Sequence, residues 1–186
     1  MIDKATARKQ GKAARAALSA ETRAQFDARI IERCKNVLSW NDYERVLLFL
    51  PIERQHEINL WPLVRWIWTE HPAVEVYVPR VNGTEMEAVR INPLVKFSEN
   101  NFGIPEPVDG EILDEQLDLI LTPLLGFDAA GNRVGYGRGY YDRFFKTQPM
   151  TERVGLSYEC LFVPEGIKTE DHDVKLHEVI TEATGR

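Results

Sequence analysis

Cysteine is scarce in these 186 residues: only Cys34 and Cys160 occur, far apart and without a CxxC partner. That excludes a disulfide framework and a zinc knuckle, and both thiols read as reduced packing residues. Long apolar runs are missing too. The longest, Val46 to Leu50 continuing through Pro51 to Ile52, is far short of the roughly 18–20 residues that cross a bilayer. No apolar h-region of a signal peptide precedes it. Basic excess is also lacking, because 23 Lys+Arg face 29 Asp+Glu for a net charge of −6. A broad nucleic-acid surface is therefore not expected. With 44% hydrophobic residues in a chain of this length, one core can form without disulfides or structural metal. The expectation is a single domain over residues 1–186.

The charge is unevenly spread. Residues 1–20 carry Lys4, Arg8, Lys9, Lys12 and Arg15 against Asp3 alone, a net of +4 that leaves −10 for the remainder. A mitochondrial transit peptide would be Ser-rich as well as basic, and Ser19 is the only serine here. Two readings stay open: a solvated face of an Ala-rich helix, or Lys4 and Arg8, one helical turn apart, aimed at an anionic ligand.

Ala5 to Leu18 is rich in helix formers. A second helical stripe follows through Phe26, Ile30, Ile31, Cys34, Val37 and Leu38. Arg45 to Leu50 reads as a buried strand ended by Pro51. Ile58 to Glu70 repeats apolar residues at helical spacing, with Asn59 as cap and Pro62 in the first turn. Further strands are expected at Val74 to Val78, stopped by Pro79, and at Glu85–Ile91, Leu117–Leu121, Arg153–Leu156 and Glu178–Thr181. Ile104-Pro105-Glu106-Pro107 should be extended. Strands alternating with helices imply an α/β fold with a largely parallel sheet, preceded by an N-terminal helical pair.

Five of the twelve glycines fall between positions 126 and 139. Asp128 to Asn132 reads as a tight turn. Beyond it, Gly135-Tyr136-Gly137-Arg138-Gly139 leaves every second residue without a Cβ, so that backbone N–H groups can approach an anion. A helix beginning near Tyr140 adds its positive dipole end. Neither the P-loop nor the G-x-G-x-x-G fingerprint is matched, since Asn132-Arg133 stands where a P-loop needs Lys-Ser/Thr. Arg133 and Arg138 suit phosphate oxygens, and the Asp142 carboxylate suits Mg2+ held together with substrate phosphates.

Within the run Leu124 to Phe144, the pattern F-D-x-x-G-x-R-x-G-x-G-x-G-Y-Y-D-R resembles the signature of the 5-formyltetrahydrofolate cyclo-ligase, or 5,10-methenyltetrahydrofolate synthetase, family. Further landmarks follow in the family's order: Lys4-x3-Arg8, Leu18-Ser19, Glu57-Ile58, Val78-Pro79-Arg80, Ile104 to Pro107, and His172-Asp173.

The resemblance implies a three-layer α/β/α Rossmann-like fold and a cytoplasmic enzyme of small-molecule metabolism, monomeric or a small homo-oligomer, with no nucleic-acid or membrane partner. Its activity would convert 5-formyltetrahydrofolate and ATP to 5,10-methenyltetrahydrofolate, ADP and phosphate, with Mg2+ as cofactor. Lys4, Arg8, Arg133, Val134, Gly135, Tyr136, Gly137, Arg138, Gly139, Tyr140 and Tyr141 would bind ATP. Leu50, Glu57, Phe102, Tyr136, Arg138, Tyr140 and Tyr141 would bind the folate, with Glu57 accepting from the pterin. Arg133, Arg138 and Tyr141 would be catalytic, and Asp142 would hold the metal. Where some relatives carry a second metal-side Asp, this chain has His177, a poor Mg2+ ligand expected to be a surface histidine. A binding module without turnover, or a ligase with another acceptor, is the alternative.

Overall fold

The computed structural model describes residues 1–99, 103 and 105–183. Phe102 and Ile104 lie outside them. The chain opens with α1 (Lys4–Ala17) and α2 (Ala20–Val37). Asp3 caps the first by accepting from the Thr6 backbone N–H at 2.9 Å, and Ser19 caps the second by accepting from Thr22 at 3.0 Å. The Leu18-Ser19 pair is thus the joint between two helices. Val37, expected on the buried stripe, is exposed, because the helix ends there and Leu38 turns into the core instead.

Besides two 3-10 turns at Glu53–Gln55 and Glu159–Leu161, the remaining elements are β1 (Arg45–Leu47), α3 (Trp61–Glu70), β2 (Glu75–Asn82), β3 (Glu85–Ile91), β4 (Phe97–Glu99), β5 (Pro105–Pro107), β6 (Leu119–Pro123), β7 (Gly126–Phe127), β8 (Arg133–Val134), α4 (Tyr140–Thr147), β9 (Glu152–Leu156) and β10 (Glu178–Ile180). The helical pattern expected from Ile58 onward begins only at Trp61, and Leu60 rather than Asn59 is its cap; Asn59 stands one residue earlier, its Oδ1 accepting from the Trp61 N–H at 3.1 Å, and Pro62 falls in the first turn as expected.

The central sheet runs β10-β9-β6-β1-β2-β3, parallel except for the antiparallel edge strand β3. From the adjacent pair β6 and β1, the unit β1-α3-β2 steps one way and β6-α4-β9 the other. Right-handed crossovers then put α3 and α4 on opposite faces of the sheet. With α2 against α3 and β10, and α1 against the β7–β8 hairpin, the result is a three-layer α/β/α arrangement. The reversal of strand order between β6 and β1 opens a crevice at their carboxyl ends, the place where ligands bind in such sheets.

Contrary to expectation, Pro79 does not stop β2, which continues to Asn82 paired with β3. β1 pairs with β2 only as far as Tyr77. Val81 turns its N–H away from β3, donating to Glu106 Oε1 at 2.8 Å. Pro79, two residues earlier, points its N–H-less nitrogen the same way, where β1 has already ended and no ladder bond is lost. Among the described residues no helix is long and apolar enough to cross a membrane.

Candidate active site

A cavity of about 750 Å3 opens at this switch point, inside the usual range of about 300–1,000 Å3 for small-molecule sites. Phe49 and Leu50, just beyond β1, and Pro123, at the end of β6, line it. Lys4 and Arg8 reach it from α1, Arg133 and Val134 from β8, Gly135 through Gly139 from the glycine loop, and Tyr140 through Asp142 from the first turn of α4. Glu57 lines it beside Leu50. All expected site residues among those described therefore meet in one cavity; Phe102 is not among them.

The glycine loop follows from its local chemistry. Asp128 Oδ1 accepts from the N–H groups of Ala130 and Asn132, each at 3.0 Å, closing the expected turn. Gly137 and Gly139 adopt φ of 90° and 70°, where glycine alone is unstrained. At Gly137 a Cβ would also press against the Arg8 guanidinium, at 3.1 Å. Arg8 Nε donates to the Gly135 carbonyl at 2.8 Å, fastening the loop to α1.

At the loop end, cations and carboxylates are already paired. Lys4 Nζ donates to Asp173 Oδ1 at 2.6 Å and Glu170 Oε2 at 2.7 Å. Burial works to lower the Lys4 ammonium, but the hydrogen bonds and charges of Asp173 and Glu170 outweigh it and hold its pKa up. The Arg133 side chain, only 7% exposed, donates to Asp142 Oδ1 at 2.7 Å and to the Val174 carbonyl, and lies over the Phe145 ring. Asp142 Oδ1 also accepts from the Val174 N–H at 3.2 Å. Arg138 lies on the exposed rim.

The opposite end is drier. Glu57, 8% exposed, accepts from the Ile52 N–H at 2.8 Å and from the Tyr136 hydroxyl at 2.6 Å. Burial raises its pKa, with the hydrogen bonds of Tyr136 and Ile52 and the charge of Arg15 opposing. Burial, then the charge of Glu57, pushes the Tyr136 and Tyr141 phenols upward, so both remain proton donors. The Tyr141 hydroxyl is buried without a hydrogen-bond partner, a donor left for a bound molecule.

Besides Phe49, Ile52, Gln55 and Pro123, three groups of lining residues escape the sequence reading. Arg54, Pro79, Val81, Met86 and Glu106 form the wall on the β2–β3 side. Glu170, His172 and Asp173 face Lys4, and each offers a ligand atom within 4.8 Å of the others. Arg143 and Lys146 add basic charge on α4. Of these, His172-Asp173, Pro79, Glu106 within Ile104 to Pro107, and Arg143 at the end of the signature pattern carried a signal, as landmarks without a role. His177, by contrast, does not line the cavity; its ring meets Arg153, with the backbone N–H of Arg153 3.0 Å from Nδ1 and its guanidinium 2.8 Å from Nε2. Carboxylate oxygens, the hard donors that Mg2+ takes, line the cavity on Asp142, Asp173 and Glu170, and those of Glu170 and Asp173 lie within 4.8 Å of each other.

The 5-formyltetrahydrofolate cyclo-ligase family model matches residues 1–182. The 5-formyltetrahydrofolate cyclo-ligase of Haemophilus influenzae is 29% identical over 174 residues, 89% of this chain and 90% of that protein. That of Mus musculus is 29% identical over 184 residues, 89% and 87% of the two chains. Among solved structures, 5,10-methenyltetrahydrofolate synthetase of Aquifex aeolicus superposes with a TM-score of 0.85 at 30% identity, covering 98% of this chain and 91% of that one. The synthetase of Mycoplasma pneumoniae shares the fold, with a TM-score of 0.78 at 21% identity, covering 97% and 99%.

Proposed function

The chain belongs to the 5-formyltetrahydrofolate cyclo-ligase family of ATP-dependent ligases, and from that premise we propose that the switch-point cavity binds Mg-ATP at its glycine-loop end and 5-formyltetrahydrofolate at its Glu57 end. The observation that carries this reading is the union, in one cavity, of a glycine loop with basic residues and a buried carboxylate beside unpartnered Tyr141.

A formamide oxygen is a poor leaving group, so the reaction needs it phosphorylated. The formyl oxygen attacks the γ-phosphorus of ATP and ADP leaves, giving an iminium-like carbon that carries the phosphate. N10 of the folate then adds to that carbon, loses its proton, and the C–O bond breaks with release of phosphate. Such phosphoryl transfer rests on positioning and charge neutralisation. Lys4, Arg8, Arg133 and Arg138, with the backbone of Val134 through Tyr140, cradle the triphosphate. The N-terminal turn of α4 contributes its positive end. Glu57 keeps acceptor capacity for the pterin N–H groups beyond its two protein partners. Leu50, Tyr136 and Tyr140 pack on the folate, and the Tyr141 O–H donates to the formyl oxygen. Arg133 and Arg138 meet the charge that builds on the transferring phosphoryl group. Asp142, with Asp173, would hold Mg2+, which when bound offsets phosphate charge.

Mixing the protein with Mg-ATP and 5-formyltetrahydrofolate should develop the near-ultraviolet methenyl chromophore with one ADP released per product. Absence of both would defeat the reading.

A further inference from the structure

Lys4, Arg8, Gly11 and Arg15 recur at intervals of four, three and four, and so share one face of α1. The first two line the cavity. Arg15 does not; it lies behind the wall, 5% exposed. Its place depends on Gly11, where a Cβ would collide with the Leu125 carbonyl, so only glycine lets α1 sit directly on the segment after β6. Seated there, Arg15 spreads its guanidinium over three groups. Nη2 donates to the Leu124 carbonyl, and Nη1 donates to the Gln55 carbonyl at 3.3 Å and to the Tyr136 hydroxyl oxygen at 3.2 Å.

The last contact has a directional consequence. A phenol has one proton. With Nη1–H occupying a lone pair of the Tyr136 oxygen, that proton is left to point at Glu57 Oε1, 2.6 Å away. The Gln55 carbonyl belongs to the segment that leads into Glu57, and Leu124 follows directly on Pro123 of the cavity wall. One guanidinium thus ties the Glu57 segment, the glycine loop and the end of β6 together, in the rigid fork geometry that lysine lacks. Lys12, one turn earlier on α1, lies over the face of the Tyr136 ring, 5.8 Å from its centroid, so α1 grips this tyrosine at ring and hydroxyl.

We infer that Arg15 is a positioning residue for the folate end of the cavity, acting through Tyr136 to fix the orientation and the free acceptor sites of the Glu57 carboxylate. The inference rests on the proposed binding of folate at Glu57, and adds that α1 serves both substrates: Lys4 and Arg8 the nucleotide, Arg15 the folate.

The test compares wild type with Arg15→Met, titrating each with 5-formyltetrahydrofolate by calorimetry without nucleotide, then measuring KM for each substrate. Arg15→Met should bind the folate at least tenfold more weakly and raise its KM in step, with KM for ATP within twofold of wild type. A folate affinity within twofold of wild type, or equal losses for folate and ATP, would overturn the inference. Should Arg15→Met fail to fold, Arg15→Lys decides: at least threefold weaker folate binding supports the role and unchanged binding overturns it. Wild-type protein that binds no folate would instead overturn the functional reading on which the inference stands.

Discussion

At the glycine-loop end, Lys4 and Arg133 each hold a carboxylate, and Lys4 also holds Glu170, an exposed one; at the Glu57 end, the carboxylate is buried and its partners are a backbone N–H and a half-buried phenol. The first arrangement can exchange partners. A polyanion entering there replaces one set of anionic oxygens by another, so the cations need not be desolvated afresh. The second arrangement is fixed, and loss of any member leaves a buried group unpaired, which costs more than the bond was worth. The two ends should therefore answer differently to mutation.

The largest effect is expected at Glu57. Glu57→Gln removes a charged acceptor and leaves the Tyr136 hydroxyl facing an amide. At about 1.5–3 kcal/mol for hydrogen bonds to a charged group, folate affinity should fall roughly 10- to 100-fold, while KM for ATP changes less than threefold. Calorimetry and paired KM measurements check this. Next, Arg133→Met strips the partner from Asp142 and a donor from the proposed phosphate cradle, and should lower kcat at least tenfold while folate affinity holds, as single-turnover rates and a folate titration would reveal. Smaller is the effect of Lys4→Ala. KM for ATP should rise several-fold, but the melting temperature should move little, because a partly exposed pair contributes about 0–1 kcal/mol. A large drop in melting temperature would instead make Lys4 a structural residue.

The smallest effect is in the pH dependence. Burial raises the Glu57 pKa above the 4.5 of an ordinary glutamate. Folate affinity should accordingly begin to fall on acidification at a higher pH than an exposed carboxylate would dictate, and Glu57→Gln should lack that acid limb. For stability the sign is opposite. A carboxyl with a raised folded pKa stabilises the fold below its unfolded pKa, and that contribution is lost as pH rises through the folded pKa. Wild type should therefore lose stability relative to Glu57→Gln over that window in urea titrations at stepped pH.

The contrast between the ends also explains what was legible in the sequence. The glycine loop was plain, since Gly135, Gly137 and Gly139 alternate in seven consecutive letters with Arg133 and lead straight into α4. The parallel α/β layering was legible from alternating apolar runs. Pro79 misled, because whether proline ends a strand depends on the neighbour beside its nitrogen, and the early end of β1 is not written locally. Glu170 and Asp173 were invisible as partners of Lys4, being more than 160 residues away and joined only by the fold. Arg15 stood in view at the right spacing, yet nothing local says that it meets Tyr136 and Leu124. The two-residue strands β7 and β8 are too short to show a period.

The central claim, that one cavity holds folate at Glu57 and ATP at the glycine loop, is tested most directly by measuring KM for both substrates in Glu57→Gln and Lys4→Ala side by side. Opposite selectivity is predicted, with the first variant impaired for 5-formyltetrahydrofolate and the second for ATP. Equal impairment toward both substrates in either variant would contradict the division of the site.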